Sequence, residues 1–156
     1  MQFGFSIVGV FFLLMLFIPN IKWGRHLPAG YAEISKHENR ILLALERIGE
    51  VACSCAVVIF VCPKGFSFPW ILWLCVAFLL MVLYEVAWAR YFRGGEVLED
   101  MYAPLGPIPL PLASLPVVAI FLLGVWYQSP IAVAAAAVLG IGHIGIHLGH
   151  LHELEK

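Results

Sequence analysis

The sequence predicts an all-α integral membrane protein, a single polytopic domain built as a bundle of five transmembrane helices. The 156-residue chain is 62% hydrophobic and only 12% charged, with a mean hydropathy of +0.94. Soluble domains are typically about 45–50% apolar and about 25% charged. The apolar residues also gather in runs long enough to cross a bilayer. We therefore expect the lipid bilayer as the surroundings and, at a formal net charge of -1, no nucleic-acid partner.

Five apolar segments account for the predicted helices. The first follows only Met1 and Gln2, lacks the basic start of a cleavable signal peptide, and is expected to be interrupted or kinked at Pro19. The second is expected to begin at Ser35, where SKHE fits a capping box, and to enter the bilayer only in its later part. A regular fourth helix is expected only from near Ser114. The predicted spans are approximately residues 3–18, 42–62, 70–92, 111–127 and 130–150.

Basic residues predict the orientation of these spans, because loops rich in lysine and arginine stay in the cytoplasm. Lys64 is the one basic residue between the second and third spans. The other basic residues fall on the opposite side of the membrane: Lys22, Arg25, Lys36, Arg40, Arg47, Arg90, Arg93 and Lys156. We therefore expect an outside N-terminus and a cytoplasmic C-terminus, in a bacterial cytoplasmic membrane.

The second predicted helix carries charges into its membrane part. Glu46, Arg47 and Glu50 fall on one face of this helix, and Glu50 lies about three turns before the predicted outer end. A charge at that depth costs roughly 2.5–3.5 kcal/mol on insertion scales. We therefore expect Glu50 to face the bundle interior and either to pair, with Arg47 as its nearest candidate partner, or to remain protonated. Two interpretations stay open, a structural ion pair and a functional site.

Other ionisable residues are predicted at the same depth. Glu85 in the third helix is flanked by apolar residues and is expected to face the interior, whereas Arg90 is expected to reach the headgroups. On the last helix, His143, His147 and His150 are four and three residues apart, which puts them on one face. Separate segments thus place polar groups in one cytoplasm-facing layer. Aromatic residues of the third helix are expected to form an interfacial belt: Tyr84, Trp88 and Tyr91.

This layer predicts a site that binds or transports a small molecule or ion. The alternative is a membrane-embedded enzyme acting on a lipophilic substrate, and a third interpretation is a structural or accessory subunit. His143 and His147 could share a divalent metal, although the H-E-x-x-H glutamate of zinc proteases is missing. The residues assigned to ligand binding or proton titration are Arg47, Glu50, Glu85, His143 and His147, with Glu46, Arg90 and His150 as further candidates.

Small residues on the last helix predict close packing. Gly142, Gly145 and Gly149 form a second stripe, and the spacing from Gly145 to Gly149 lets transmembrane helices approach closely. The stripe is expected to seat against a neighbouring helix or against a second copy of the chain, which would make a homo-oligomer. The four cysteines are expected to be packing residues, and the sequence leaves open whether Cys62 and Cys75 pair.

Overall fold

The computed structural model describes residues 1–154 and confirms the all-α class, with the addition of two very short strands. A 3₁₀ helix covers Ser35–His37, and the strands β1 (Gln2–Phe3) and β2 (Phe60–Val61) pair antiparallel. Lys156, used above to predict orientation, lies outside the described residues. The α-helices are α1 (Ile7–Arg25), α2 (Tyr31–Ile34), α3 (Arg40–Ile59), α4 (Ile71–Gly94), α5 (Leu98–Tyr102), α6 (Pro111–Trp126) and α7 (Pro130–Leu154).

Within residues 1–154, three helices are long and apolar enough to cross a membrane, namely α1, α4 and α7. Helix α6 is apolar but has only 16 residues. Helix α3 has 20 residues, and its first half carries Arg40, Glu46 and Arg47, with Glu50 at the midpoint. Length and composition therefore support a helical membrane protein, whereas the five-span count and the orientation stay predictions.

The five long helices form a closed ring. Helix α3 packs along α7, α7 packs along α6, and α6 packs along α4, while α1 contacts both α3 and α4 and completes the ring. Consecutive long helices run in opposite directions. For example, β1 before α1 pairs with β2 after α3, and Trp70 at the start of α4 contacts Trp126 at the end of α6. The ring surrounds the space into which polar side chains of several helices project.

Glycines permit the close approach of α3 and α7. A Cβ on Gly49 would lie 2.5 Å from the α7 backbone, and a Cβ on Gly142 would collide with the α3 backbone. Gly145 faces an α3 side chain, whereas Gly149 faces open space. Two glycines of the predicted stripe therefore seat against a helix of the same chain. Formation of a homo-oligomer stays a prediction. Of the three glycines in the stripe, only Gly149 is left open for contact with a second copy of the chain.

Two helix boundaries differ from the sequence prediction. Helix α1 is not interrupted at Pro19 but continues to Arg25, because a proline removes one backbone N–H and leaves the other helical hydrogen bonds in place. Helix α3 begins at Arg40, because the Asn39 side chain accepts hydrogen bonds from two N–H groups of its first turn. The predicted capping box at Ser35 is therefore wrong.

The fourth long helix, α6, begins one turn earlier than Ser114. Pro111 occupies its first turn. Backbone N–H groups in the first turn of a helix have no helical acceptor, so the N–H that proline lacks costs no helical hydrogen bond. Pro116 lies inside α6. All four cysteines are unpaired within the described residues, so Cys62 and Cys75 form no disulfide.

One end of the bundle, here named the closed end, is defined by Ser6, Val57, Trp70, Trp126 and Tyr127. The Tyr127 hydroxyl donates to the Val57 carbonyl oxygen at 3.0 Å and lies 2.7 Å from Ser6 Oγ. Trp70 Nε1 donates to the Trp126 carbonyl oxygen at 2.8 Å. These neutral hydrogen bonds join the starts of α1 and α4 to the ends of α3 and α6, whereas the buried Trp126 Nε1 has no partner among residues 1–154.

Candidate functional site

Two adjoining cavities lie inside the helix ring, away from the closed end. The apolar cavity, of about 180 Å³, is lined mainly by apolar side chains of α1, α6 and α7. Its walls include Leu13, Leu16, Phe17, Val117, Ile120 and Leu139. Because Asn20, Glu50, Leu112 and His143 line this cavity and its polar neighbour, the site joins a lipophilic compartment to a polar one.

The polar cavity, of about 200 Å³, brings together side chains from all five long helices and from the α1–α3 connection. Aromatic and charged side chains predominate in its wall. The predicted site residues that line it are Glu46, Arg47, Glu50, His143 and His147. Residues on separate helices therefore meet at one depth, as the helical spacing predicted.

The ion pair of α3 lies at the edge of this cavity. Arg47 Nη1 donates to Glu50 Oε2 at 3.1 Å, so the predicted pair forms. The Arg47 side chain is 70% exposed and the Glu50 side chain is 44% exposed. A pair this open contributes about 0–1 kcal/mol to stability. The Glu50 carboxylate thus remains accessible from the cavity it lines.

His143 is fixed by a carboxylate of the neighbouring helix. Its Nδ1 lies 2.6 Å from Glu46 Oε1, and the two side chains are 23% and 12% exposed. The His147 ring follows one turn later, with its centroid 4.6 Å from that of His143. A carboxylate on one ring nitrogen sets the orientation of an imidazole and leaves the other nitrogen for a ligand or a proton.

His150 belongs to a separate buried contact. The Tyr102 hydroxyl lies 2.8 Å from its Nδ1, and Glu38 Oε1 lies 3.1 Å from its Nε2. Burial, and secondarily Tyr31 and Glu38, raises the pKa of Tyr102 well above its ordinary value of 10.0. The Tyr102 hydroxyl and Nδ1 share a hydrogen bond, whereas Nε2 forms none with any residue among 1–154 and is only close to Glu38, a residue of the polar cavity wall.

Aromatic rings form another part of the polar cavity wall. Trp23, Tyr31 and Trp88 line it, and the Trp23 and Tyr31 ring centroids lie 4.9 Å apart at an interplanar angle of 88°. Burial, followed by the Glu38 and Glu46 carboxylates, raises the pKa of Tyr31 to about 12, so its phenol is neutral at physiological pH. The predicted interfacial belt is wrong, because its three members are buried in the bundle: Tyr84, Trp88 and Tyr91.

Asn20 lies where the two cavities meet. Its side-chain NH₂ donates to the Leu16 carbonyl oxygen at 2.7 Å and to the Tyr84 hydroxyl at 2.6 Å. Its Oδ1 accepts no hydrogen bond from any other described residue. The predicted first span ended at residue 18, which placed Asn20 in a loop. A first helix that continues past Pro19 would have predicted this amide inside the bundle, because a helix can tolerate an internal proline.

Two predicted site residues lie elsewhere. Glu85 lines neither cavity, and its Oε1 is buried without a hydrogen-bond partner among residues 1–154. Arg90 donates to the Ala103 and Pro104 carbonyl oxygens at 2.5 and 2.6 Å. These carbonyls bind its guanidinium and hold the segment that follows α5, and contact of Arg90 with the headgroups stays a prediction.

The structure gives no support to a metal centre. Within the described part of the chain, no group of three or more histidine, cysteine, aspartate or glutamate side chains could hold a metal ion. His143 and His147 supply two neighbouring imidazoles, whereas catalytic zinc sites use three protein ligands. The neighbouring carboxylate, Glu46, is hydrogen-bonded to His143.

The arrangement can accommodate a molecule with one lipophilic and one polar part, and it places two imidazoles and several carboxylates around the polar part. No protein-family model matches the chain, and no curated protein or solved structure matches it. Function is therefore argued from the geometry and chemistry of the site.

Proposed function

We propose that this protein binds an amphiphilic small molecule within a membrane. The lipophilic part occupies the apolar cavity and the polar part occupies the polar cavity. The observation that carries the proposal is the shared wall, in which Asn20, Glu50, Leu112 and His143 border both cavities. Ligand pockets are typically apolar with a few placed polar groups, and ionisable residues at membrane depth are functional-site candidates. The proposal includes five spans and a polar cavity facing the cytoplasm of a bacterium.

The polar part of the ligand must supply most of the selectivity. A lipophilic tail that leaves the bilayer for the apolar cavity exchanges one apolar environment for another, so the hydrophobic gain is small. Lipid tails cannot form the hydrogen bonds and charge interactions that the polar cavity offers to the head group. Affinity should therefore depend strongly on the head group and weakly on tail composition.

Binding is a better-supported function than passage across the bundle. The closed end is held by hydrogen bonds from Tyr127 to Val57 and from Trp70 to Trp126. A transported ligand would have to break these contacts to leave on that side. Entry and release through the polar end require no such rearrangement, so transport is a further step that the same binding site would serve.

The proposal is tested with short-chain probes of different head groups, namely octylammonium, octyl glucoside and octanoate, added to protein in nanodiscs of zwitterionic lipid. Ser54 lines the apolar cavity, whereas its neighbour Cys55 is exposed on α3. Ser54→Phe fills the cavity, and Cys55→Phe is the matched control. We expect saturable binding of at least one probe to wild type and to Cys55→Phe, with affinity about tenfold weaker in Ser54→Phe.

Empty nanodiscs of the same lipid give the partitioning that must be subtracted. Equal affinity of wild type and Ser54→Phe would place the probe outside the apolar cavity and overturn the proposal. So would the absence of saturable binding by all three probes.

A membrane-embedded enzyme for a lipophilic substrate is the second candidate, and one contact favours it. Glu46 orients the His143 imidazole at 2.6 Å, as a positioned general base requires, and His143 lines both cavities. Mass spectrometry of extracted membrane lipids, incubated with wild type or with His143→Ala, tests this candidate. A product formed only by wild type would favour the enzyme, and an unchanged lipid profile would count against it.

A further inference from the structure

We infer that the polar part of the ligand is an ammonium group that carries N–H donors. This inference rests on the proposed function, because it names the chemistry that the same site would recognise. Three features of the polar cavity support it: unused acceptor oxygens, an excess of carboxylates and a wall of aromatic rings.

Among the described residues, the unpaired polar groups of the polar cavity wall include acceptor oxygens of Asn20, Glu46 and Glu50 and the buried indole N–H groups of Trp23 and Trp88. Both N–H groups of Asn20 are occupied by Leu16 and Tyr84, which leaves Oδ1 for a ligand. Glu50 binds Arg47 through Oε2, and Glu46 binds His143 through Oε1. The second oxygen of each carboxylate accepts no hydrogen bond from the other described residues. A ligand group placed here must donate hydrogen bonds to satisfy these oxygens.

The charges favour a cation. Among the described residues, three carboxylates line the polar cavity, those of Glu38, Glu46 and Glu50, against one guanidinium, that of Arg47. The wall also holds two imidazoles, those of His143 and His147, and the His143 ring already lies against Glu46. A cation next to Glu46 and Glu50 gains a favourable Coulomb interaction, whereas an anionic head group would meet like charges.

The aromatic wall suits the same cation. The Trp23 ring is nearly perpendicular to that of Tyr31, and its centroid lies 6.5 Å from that of Trp88. Ring faces attract ammonium groups within about 6 Å of the centroid, and tryptophan does so most strongly. An aliphatic amine resembles the lysine side chain and is charged at neutral pH. The rings of Trp23, Tyr31 and Trp88 line the same cavity as the three carboxylates, a combination that favours an alkylammonium ion.

The test compares the three probes at neutral pH on wild-type protein in nanodiscs. We expect octylammonium to bind about tenfold more tightly than octanoate, and more tightly than octyl glucoside. Glu50→Gln keeps the side-chain size and removes its charge, so octylammonium affinity should fall about tenfold while octyl glucoside affinity stays nearly unchanged. Glu33→Gln is the matched control, because it breaks an exposed i,i+3 pair with Lys36 and should leave every affinity unchanged.

The outcomes separate the two proposals. If octanoate or octyl glucoside binds wild type as tightly as octylammonium, and Ser54→Phe still weakens that binding, the ammonium inference fails and amphiphile binding stands. If no probe binds, both fail. Should Glu50→Gln not fold, Asn20→Leu supplies a second variant. It should lower octylammonium affinity about tenfold by removing the acceptor oxygen, and unchanged affinity would contradict the inference.

Discussion

The two ends of the bundle are built from different chemistry. At the closed end, neutral donors and acceptors such as Ser6, Tyr127 and Trp70 bond to one another or to backbone carbonyls. At the opposite end, here named the polar end and marked by Glu46, Trp88 and the last turns of α7, charged and aromatic side chains surround a cavity. A helical bundle can thus be closed without ionisable groups.

This contrast indicates why the polar end carries charges. Ionisable side chains at membrane depth are expensive, and an ion pair as open as Arg47–Glu50 returns about 0–1 kcal/mol of stability. The closed end shows that neutral hydrogen bonds suffice to join the helices. This is why we propose a ligand, rather than the stability of the fold, as the reason for the charges that line the polar cavity.

The largest effect on both stability and binding is expected from Gly142→Ala. Its Cβ would collide with the α3 backbone, so α3 and α7 must separate and the Glu46–His143 contact must open. We expect a loss of about 3 kcal/mol in the free energy of unfolding and loss of probe binding. Gly149→Ala is the control, since its Cβ meets open space. Similar melting temperatures for the two variants would contradict the described helix packing.

At the closed end, Tyr127→Phe should lower stability without altering binding. The substitution removes the hydroxyl that donates to the Val57 carbonyl oxygen and contacts Ser6. Leaving these buried groups without a partner should cost about 2 kcal/mol, measured by denaturation in nanodiscs. A change in octylammonium affinity of about tenfold would show that the two ends are coupled. It would contradict the division of the bundle into a structural closed end and a ligand-binding polar end.

Arg90→Met tests whether a charge near the polar end is structural. The guanidinium holds two carbonyl oxygens, those of Ala103 and Pro104, and lines neither cavity. We expect a loss of about 1 kcal/mol in stability and probe affinities equal to those of wild type. Loss of probe binding at unchanged stability would show that Arg90 contributes to ligand binding.

The smallest expected effect is the alkaline pH dependence contributed by Tyr31. Its pKa is raised from 10.0 to about 12 in the folded protein, so the unfolded chain releases this proton first as the pH rises. The corresponding stability is fully present below pH about 10 and is lost as the pH approaches 12. Tyr31→Phe should therefore show a shallower fall in melting temperature over this range, and an identical pH profile would contradict the burial of the phenol.

The sequence predicted the site in part. Glu46, Arg47, Glu50, His143 and His147 could be placed together, because helical spacing and membrane depth are both readable from the chain. Trp23, Tyr31 and Glu38 could not, since they follow Pro19 or lie in the α1–α3 connection, whose path is determined by tertiary contacts. The hydrogen-bond partners of Arg90 could not be predicted for the same reason, because these carbonyls belong to an irregular segment that sequence periodicity does not describe.

The central claim is that the charges lining the polar cavity form a ligand site and are not needed to hold the bundle together. Its most direct test is a paired measurement on Glu50→Gln in nanodiscs, comparing the melting temperature without ligand and the shift caused by octylammonium. We expect a melting temperature close to that of wild type, because the Arg47–Glu50 pair is exposed, and loss of most of the octylammonium shift. A marked fall in melting temperature with the shift retained would show that the ion pair is structural and would contradict the claim.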